Sequence, residues 1–443
     1  MESAETAIDP VAIARCVREE DPVCDFCTGR LVADRSFGLG NDERGRALRI
    51  AAALIEDIPY EAPNPEDCWV CEGQCSRAEE WASRVVKELE QVSFSTYQVG
   101  CRIPPLLEEN DRLLRQSCGL DEEAGELLKS DLNREVGKRV GEITGTTVDF
   151  DRPDILALLH IERGDVEIEI NPAFVYGRYR KEVRDIPQTE WPCRDCGATG
   201  KQLGPNGEEP CDGCDGTGYR YDVSIEGLTV PTVVTAMEGS EGVFHGAGRE
   251  DVDARMLGSG RPFVIEVKDP HRRDPDPEAI KEQINEAANG AVTVSDLALA
   301  TYEMVERVKA LEASKRYEAR VLFEEPVTEE ALNNALERID GATITQYTPQ
   351  RVDHRRANLT RERTVYAIDG TRQSPTEATV TIHGAGGLYV KELISGDDGR
   401  TEPSLAGEVG VPATVTALDV LAVEGEDERF DQPAFLRSRD NEA

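Results

Sequence analysis

Apolar and charged residues alternate from Val166 through Ile168 to Ile170, the period-two signature of a strand with one buried face. Denser apolar runs at Phe263-Val264-Ile265-Glu266-Val267, at Tyr317 to Phe323 and at Val415 to Val423 read as further strands. Helices are predicted over Ala47 to Ile55, Pro277 to Ala288, Thr301 to Ser314 and Thr328 to Ile339. Strands and helices intersperse without a repeating strand–helix unit, so the expected class is α+β rather than a parallel α/β sheet. Between Trp191 and Tyr219 lies a glycine-rich island with four cysteines and little that forms a core. The expected organisation is an N-terminal module over 1–76, a second domain over 77–190, the island over 191–219 and a C-terminal domain over 220–443. No internal repeat and no phosphate-binding loop of the nucleotide-hydrolysing kind is found.

At 443 residues and 39% hydrophobic content, the chain can build two or three cores of ordinary size. It lacks an apolar run of about 18 residues, and MESAETAIDP has no basic-then-apolar order, so a cytoplasmic protein without membrane segments is expected. Lysine and arginine number 50 against 87 acids, a net charge of −37. Such a charge ordinarily repels a polyanion. The acids are spread along the chain instead of forming a tail, which fits a surface made for a salt-rich, halophilic cytosol. At molar salt the Debye length falls to about 3 Å, and local basic clusters then decide what binds.

Twelve cysteines occur mostly in close pairs, and in a cytosolic chain such pairs suggest metal before disulfide. Cys24-Asp25-Phe26-Cys27 and Cys68-Trp69-Val70-Cys71 can offer four thiolates, because a two-residue gap folds as a knuckle that aims both sulfurs at one ion. Cys75 is an alternative to Cys71. Cys193-Arg194-Asp195-Cys196 and Cys211-Asp212-Gly213-Cys214 form a second set with glycines suited to knuckle turns. One or two structural zinc ions are therefore expected. Cys16, Cys101 and Cys118 are read as buried apolar residues. The run from Cys211 to Gly218 also resembles the cysteine-rich repeat of zinc-dependent chaperones of the Hsp-forty class, but no His-Pro-Asp tripeptide accompanies it.

Gly246-Ala247-Gly248-Arg249-Glu250-Asp251-Val252-Asp253 is the most informative stretch: small residues that allow close backbone approach, then crowded charges, then a strand. Alone it could be a solvated turn. It resembles, however, the signature of the archaeal and eukaryotic tRNA pseudouridine synthase family that modifies the T-loop and carries an extra N-terminal RNA-binding domain of the THUMP type. The resemblance covers nearly the whole chain: Cys24 to Arg30 with Asn41 to Leu48, Asp151 to Ile155, Ile170 to Lys181, Gln346 to Asn358 and Gly386 to Ser404. Departures are Asn358, where an acid is commoner, and a long spacer from Gly197 to Pro210.

The resemblance implies a pseudouridine synthase fold, a mixed and mainly antiparallel sheet flanked by helices. It also implies conversion of uridine to pseudouridine at position 55 and also 54 of tRNA, with no organic cofactor and no catalytic metal. It places the nucleophile at Asp251, with Asp253 as the rival. A carboxylate of ordinary pKa about 3.9 is ionised at neutral pH and needs no tuning for that role. Arg249 would orient it by a charge-assisted hydrogen bond. Tyr317 would stack on the uracil and move a proton, Tyr366 being the runner-up. Val390, Lys391 and Leu418 would wall the site.

Two basic clusters stand out in this acidic chain. Arg351 to Arg363, with His354, Arg355, Arg356 and Arg361, carries five arginines against two acids, and arginine pairs with phosphate and stacks on bases. Tyr176-Gly177-Arg178-Tyr179-Arg180-Lys181 is expected to hold the acceptor end of tRNA. The predicted partner is tRNA, with the chain a monomer. The competing readings are a non-catalytic tRNA-binding factor and a zinc-dependent chaperone.

Overall fold

The computed structural model describes residues 9–204, 207–311, 313–355, 357–424, 430, 432 and 434–437. The chain divides into two units, Met1–Asn171 with His271–Arg273, and Pro172–Pro270 with Asp274–Ala443.

The first unit holds a four-stranded sheet of β1 (Thr96–Arg102), β2 (Thr147–Val148), β3 (Ile155–His160) and β4 (Asp165–Ile170) in the order β2-β1-β3-β4. β1 runs parallel to β2 and β3, and β4 is antiparallel to β3 at the edge. The predicted alternation of Val166, Ile168 and Ile170 puts one face of β4 against the core, as an edge strand with one wet side requires. Helices Ala78–Glu88 and Leu128–Thr144 bury Trp81, Val85, Leu132 and Val136 in the same core. Cys24, Cys27, Cys68 and Cys71 lie in it too, so residues 1–76 and the sheet share one interior.

That interior also contains a charge cluster. Arg30 and Arg115, both fully buried, meet Asp111 at 2.6 and 2.8 Å, and Asp111 accepts a further bond from Leu128 N at 3.0 Å. Burial opposes the charge on Asp111, but the two guanidinium groups outweigh it and hold its carboxyl below the usual range. Cys16 and Cys118, expected as separate buried apolar residues, are joined as a disulfide across the end of helix Pro105–Ser117, and neither is fully buried. Cys101 alone of the three is buried and unpaired.

In the second unit the strands are β5 (Ala173–Lys181), β6 (Lys201–Gly204), β7 (Gly207–Pro210), β8 (Glu241–Gly246), β9 (Ala254–Lys268), β10 (Val292–Ala300), β11 (Ser314–Phe323), β12 (Thr343–Tyr347), β13 (Thr360–Ser374), β14 (Glu377–Gly384), β15 (Thr401–Glu402) and β16 (Ala413–Glu424). Ten of them make one sheet in the order β10-β5-β9-β16-β11-β14-β13-β12-β15, with β8 also on β9. Every pairing is antiparallel except β9 with β16. Helices Pro277–Ala288 and Glu329–Ile339 bury Ile280, Ile284, Leu332 and Ile339 against it.

The predicted boundary at 190 differs from this division. Val175, Gly177, Tyr179 and Lys181 are buried, and β5 is hydrogen-bonded on both sides, to β9 and β10, which makes it an interior strand of the second unit's sheet. The predicted helix Thr301 to Ser314 spans only Tyr302–Lys309, because Ser314 already pairs with Glu424 as the start of β11. β9 turns at Gly258, whose φ is 61° and where a Cβ would lie 1.8 Å from the Leu421 carbonyl oxygen, so only glycine fits. Among the described residues no helix is long and apolar enough to cross a membrane.

Candidate active site and zinc centres

The loop from Ala247 to Asp253, between β8 and β9, is fixed from below by buried polar groups. Glu250 accepts from Tyr179 Oη at 2.9 Å and from Arg261 Nε at 2.8 Å. Arg261 also reaches the Ala247 carbonyl at 2.7 Å, and Gln188 donates to the Gly248 carbonyl at 2.9 Å. The buried Lys181 ammonium donates to the carbonyls of Ile186, Asp251 and Val252 at 2.8, 3.3 and 3.0 Å. Buried charges are tolerated when paired and hydrogen-bonded in this way. The effect is to present the next side chain, Asp251, upward into a cavity of about 740 Å³.

Asp251 Oδ1 accepts from Arg351 Nη1 at 3.0 Å, and Oδ2 lies 3.3 Å from Lys391 Nζ. Burial raises the Asp251 carboxyl, but Arg351 and Lys391 outweigh burial and hold it below the usual carboxylate range. Arg351 is itself clamped by Glu392, Nε to Oε1 at 2.6 Å. Lys391 also binds both oxygens of Asp253, at 2.8 and 2.7 Å, while Asp253 is itself well exposed and does not line the cavity. Tyr317 lines the cavity from β11 with 7% exposure, and burial pushes its hydroxyl up to about 12, so it keeps its proton at neutral pH. Val390, Lys391 and Leu418 are on the wall as expected. Seven cationic side chains line this cavity, at 249, 261, 315, 351, 361, 363 and 391, against the carboxylates Glu250 and Asp251.

Other expected positions fall elsewhere. Arg249 does not hold Asp251: its guanidinium lies over the Trp191 ring at 5.9 Å, and Arg351 and Lys391 have taken both carboxylate oxygens. Tyr366 is half exposed against His383 and outside the cavity lining. In β5, strand alternation turns Tyr179 and Lys181 into the interior, and Tyr176 is buried against Phe430. Only Arg178 and Arg180 of that cluster remain on the outer side, Arg178 tied to the Ser259 and Gly260 carbonyls at 2.7 and 2.9 Å and Arg180 near Glu182 at 3.6 Å. Arg356 lies outside the described residues, as do the side chains of His354 and Arg355. Sequence reading missed Arg351 as the partner of Asp251, and also Glu392 and Lys315. An arginine heading the 351–363 cluster beside a family motif was the available signal for the first.

The cysteine sets fit zinc. A tetrahedral ion with Zn–S of about 2.3 Å needs sulfurs about 3.8 Å apart. Cys24–Cys71 and Cys68–Cys27 stand at 3.7 and 3.8 Å, and Cys193–Cys211 and Cys196–Cys214 at 4.0 and 3.8 Å. The first set is closed by Cys71, with Cys75 buried beside it. In the second, Gly200 N and Gly218 N donate to Cys196 and Cys214 sulfurs at 3.3 and 3.2 Å, the knuckle bonds that the glycines predict.

A family model described as Pus10, C-terminal, matches residues 174–424, and one described as Pus10 THUMP domain, archaeal, matches residues 81–160. Together they define an isomerase, a pseudouridine synthase that carries a THUMP domain ahead of its catalytic one. The chain is 56% identical over 430 residues to the tRNA pseudouridine synthase Pus10 of Halorubrum lacusprofundi, covering 97% of this chain and all of that one. It is 42% identical to the tRNA pseudouridine synthase Pus10 of Methanothrix thermoacetophila, over 95% of each. Among solved structures, a Cbf5-Nop10-Gar1 complex is similar at 16% identity and a TM-score of 0.28, over 42% of each chain, too loose a likeness to weigh. The chain belongs to the Pus10 family of tRNA pseudouridine synthases.

Proposed function

We propose that the cleft isomerises uridine to pseudouridine in the T-loop of tRNA, at position 55 and also 54, with Asp251 as the nucleophile. The observation that carries this reading is the state of Asp251: a carboxylate kept ionised by Arg351 and Lys391, at the floor of a cationic cleft in a chain of net charge −37. In the reaction the carboxylate attacks the target nucleotide, the glycosidic bond breaks, and the uracil turns and rejoins through carbon. A base removed from its stack needs a replacement surface, and the buried Tyr317 ring supplies one, with Val390 and Leu418 closing the wall. Because the Tyr317 hydroxyl stays protonated, it serves as a hydrogen-bond donor that can pass a proton only in exchange for another.

Arg249, Arg361, Arg363, His354, Arg355 and Arg356 are the groups we assign to the RNA backbone, and Arg178 and Arg180 to an outlying tRNA contact. The THUMP-bearing unit would grip the tRNA, and both zinc ions would be structural. The test is pseudouridine mapping of an unmodified tRNA transcript at high salt, with the wild type and with Asp251→Ala. T-loop product from the wild type alone supports the reading. Activity surviving the substitution moves the nucleophile to Asp253, and product confined to another part of the tRNA overturns the T-loop assignment.

A further inference from the structure

Lys315 and Tyr317 stand two residues apart on β11, and both line the cleft. Tyr317 is read above as the stacking surface for the target base, and a residue two positions away on the same strand faces the same side of the cleft. Its neighbours are already satisfied. Glu250 is taken by Tyr179 and Arg261, and Arg261 by Glu250 and the Ala247 carbonyl. Across the sheet Lys315 faces Gly384 of β14 and Val423 of β16, neither of which offers a charge, and the nearby His383 is bonded to Ser314 at 3.0 Å. Among the described residues, no acceptor and no carboxylate pairs with the Lys315 ammonium. Glu250 supports its charge only through space, so this partly buried ammonium, with no hydrogen-bonded acceptor, suits an oxygen brought by the substrate.

We propose that Lys315 is a further catalytic residue of the isomerisation, donating from its ammonium to a carbonyl oxygen of the detached uracil. This rests on the reading of Asp251 as nucleophile. When the N1–C1′ bond breaks, its electron pair stays on the ring and spreads over N1 and the carbonyl oxygens, while C1′ bonds to an Asp251 oxygen. On closure the C5–C1′ bond forms, the C1′–O bond returns its pair to the carboxylate, C5 loses a proton and N1 gains one. Lys315 gives up no proton in this sequence; it stabilises the charge that exists only between the two steps, where a preorganised donor acts most strongly. Burial and Arg261 push its amine down to about 8, with Glu250 opposing them, so at neutral pH most of it is charged.

The test is Lys315→Met, which keeps the length of the stem, with tRNA affinity and the single-turnover rate on saturating tRNA measured separately. A rate about 100-fold lower, with affinity within about threefold of wild type, is expected from loss of one such donor. A rate within about threefold overturns the proposal, and so does lost affinity with an unchanged bound rate, which would make Lys315 a backbone contact. Alkaline pH is a second readout: the wild-type bound rate should fall once the amine loses its proton, at or above the empty-site value of about 8 because a bound anion holds the proton, and Lys315→Met should lack that fall; the same fall in the variant overturns the proposal. Asp251→Ala is run in parallel. If it stays active, the reading of the nucleophile fails; if it is dead while Lys315→Met is fully active, only this inference fails.

Discussion

Arg351 offers the sharpest test of how the site is held. It donates to Asp251 at 3.0 Å and to Glu392 at 2.6 Å, and the Glu392 side chain is 5% exposed. Removing the arginine alone would strand a buried carboxylate at a cost of about 3–5 kcal/mol and confuse stability with catalysis. The informative variant is therefore Arg351→Met with Glu392→Gln. A full Coulomb estimate near a protein surface, about 4 kcal/mol at 4 Å, is too large here, because both partners are roughly one-third exposed and Lys391 still holds Oδ2. The range for one hydrogen bond to a charged group, about 1.5–3 kcal/mol, is the better measure. It corresponds to a single-turnover rate about 10- to 150-fold lower at pH 7.

Protonation contributes little at that pH. Asp251 has a depressed folded value, so its charge is present above the ordinary value near 3.9 and is lost only as pH falls through the lower, folded one. Without Arg351 the carboxyl should rise, moving the acid limb of the rate profile upward. The assay is tritium release from C5-labelled uridine in bound tRNA across acid to neutral pH. A rate within about threefold of wild type, with the limb unmoved, would refute the claim that Arg351 tunes and positions Asp251.

Purified protein should carry two zinc ions by metal analysis, with Cys68→Ser and Cys211→Ser each losing one; a single ion in the wild type sinks one of the two assignments. Cys68→Ser should also lower the melting temperature sharply, because its cluster lies within the first unit's core, whereas the Cys211 cluster stands apart from the core of the ten-stranded sheet. Asp111→Asn leaves Arg30 and Arg115 buried without a counter-charge and should cost about 3–5 kcal/mol in denaturant unfolding of that unit; a loss below about 1 kcal/mol would show the cluster to be hydrated.

The legible parts of this molecule were those where one residue type has one physical use. The cysteine knuckles come together as two four-sulfur sets, the alternation in β4 and the apolar run at Phe263 are strand, and Asp251, Tyr317, Val390, Lys391 and Leu418 line one cavity. Illegible parts were choices between equivalent partners. Arg249 is two residues from Asp251 and Arg351 is a hundred away; both arginines line the cavity, but Arg249 is held over Trp191 and only folding brings the 351 turn onto the Asp251 carboxylate. The β5 cluster is split by the strand itself: Tyr176 to Lys181 reads as one basic, aromatic patch, and the pleat divides it into an inner and an outer row.

The same division resolves the conflict between an acidic chain and an anionic substrate. Net charge sums every residue, but a phosphate in the cleft is within a few ångströms of seven cations and two carboxylates, one of which is already neutralised by Arg261. Acids that do not line the cleft are screened beyond about 3 Å at molar salt, while cations inside a low-dielectric cavity are screened much less. High salt thus removes the long-range repulsion first and the short-range attraction last. At molar salt an acidic surface therefore costs the cleft little of its attraction for a phosphate.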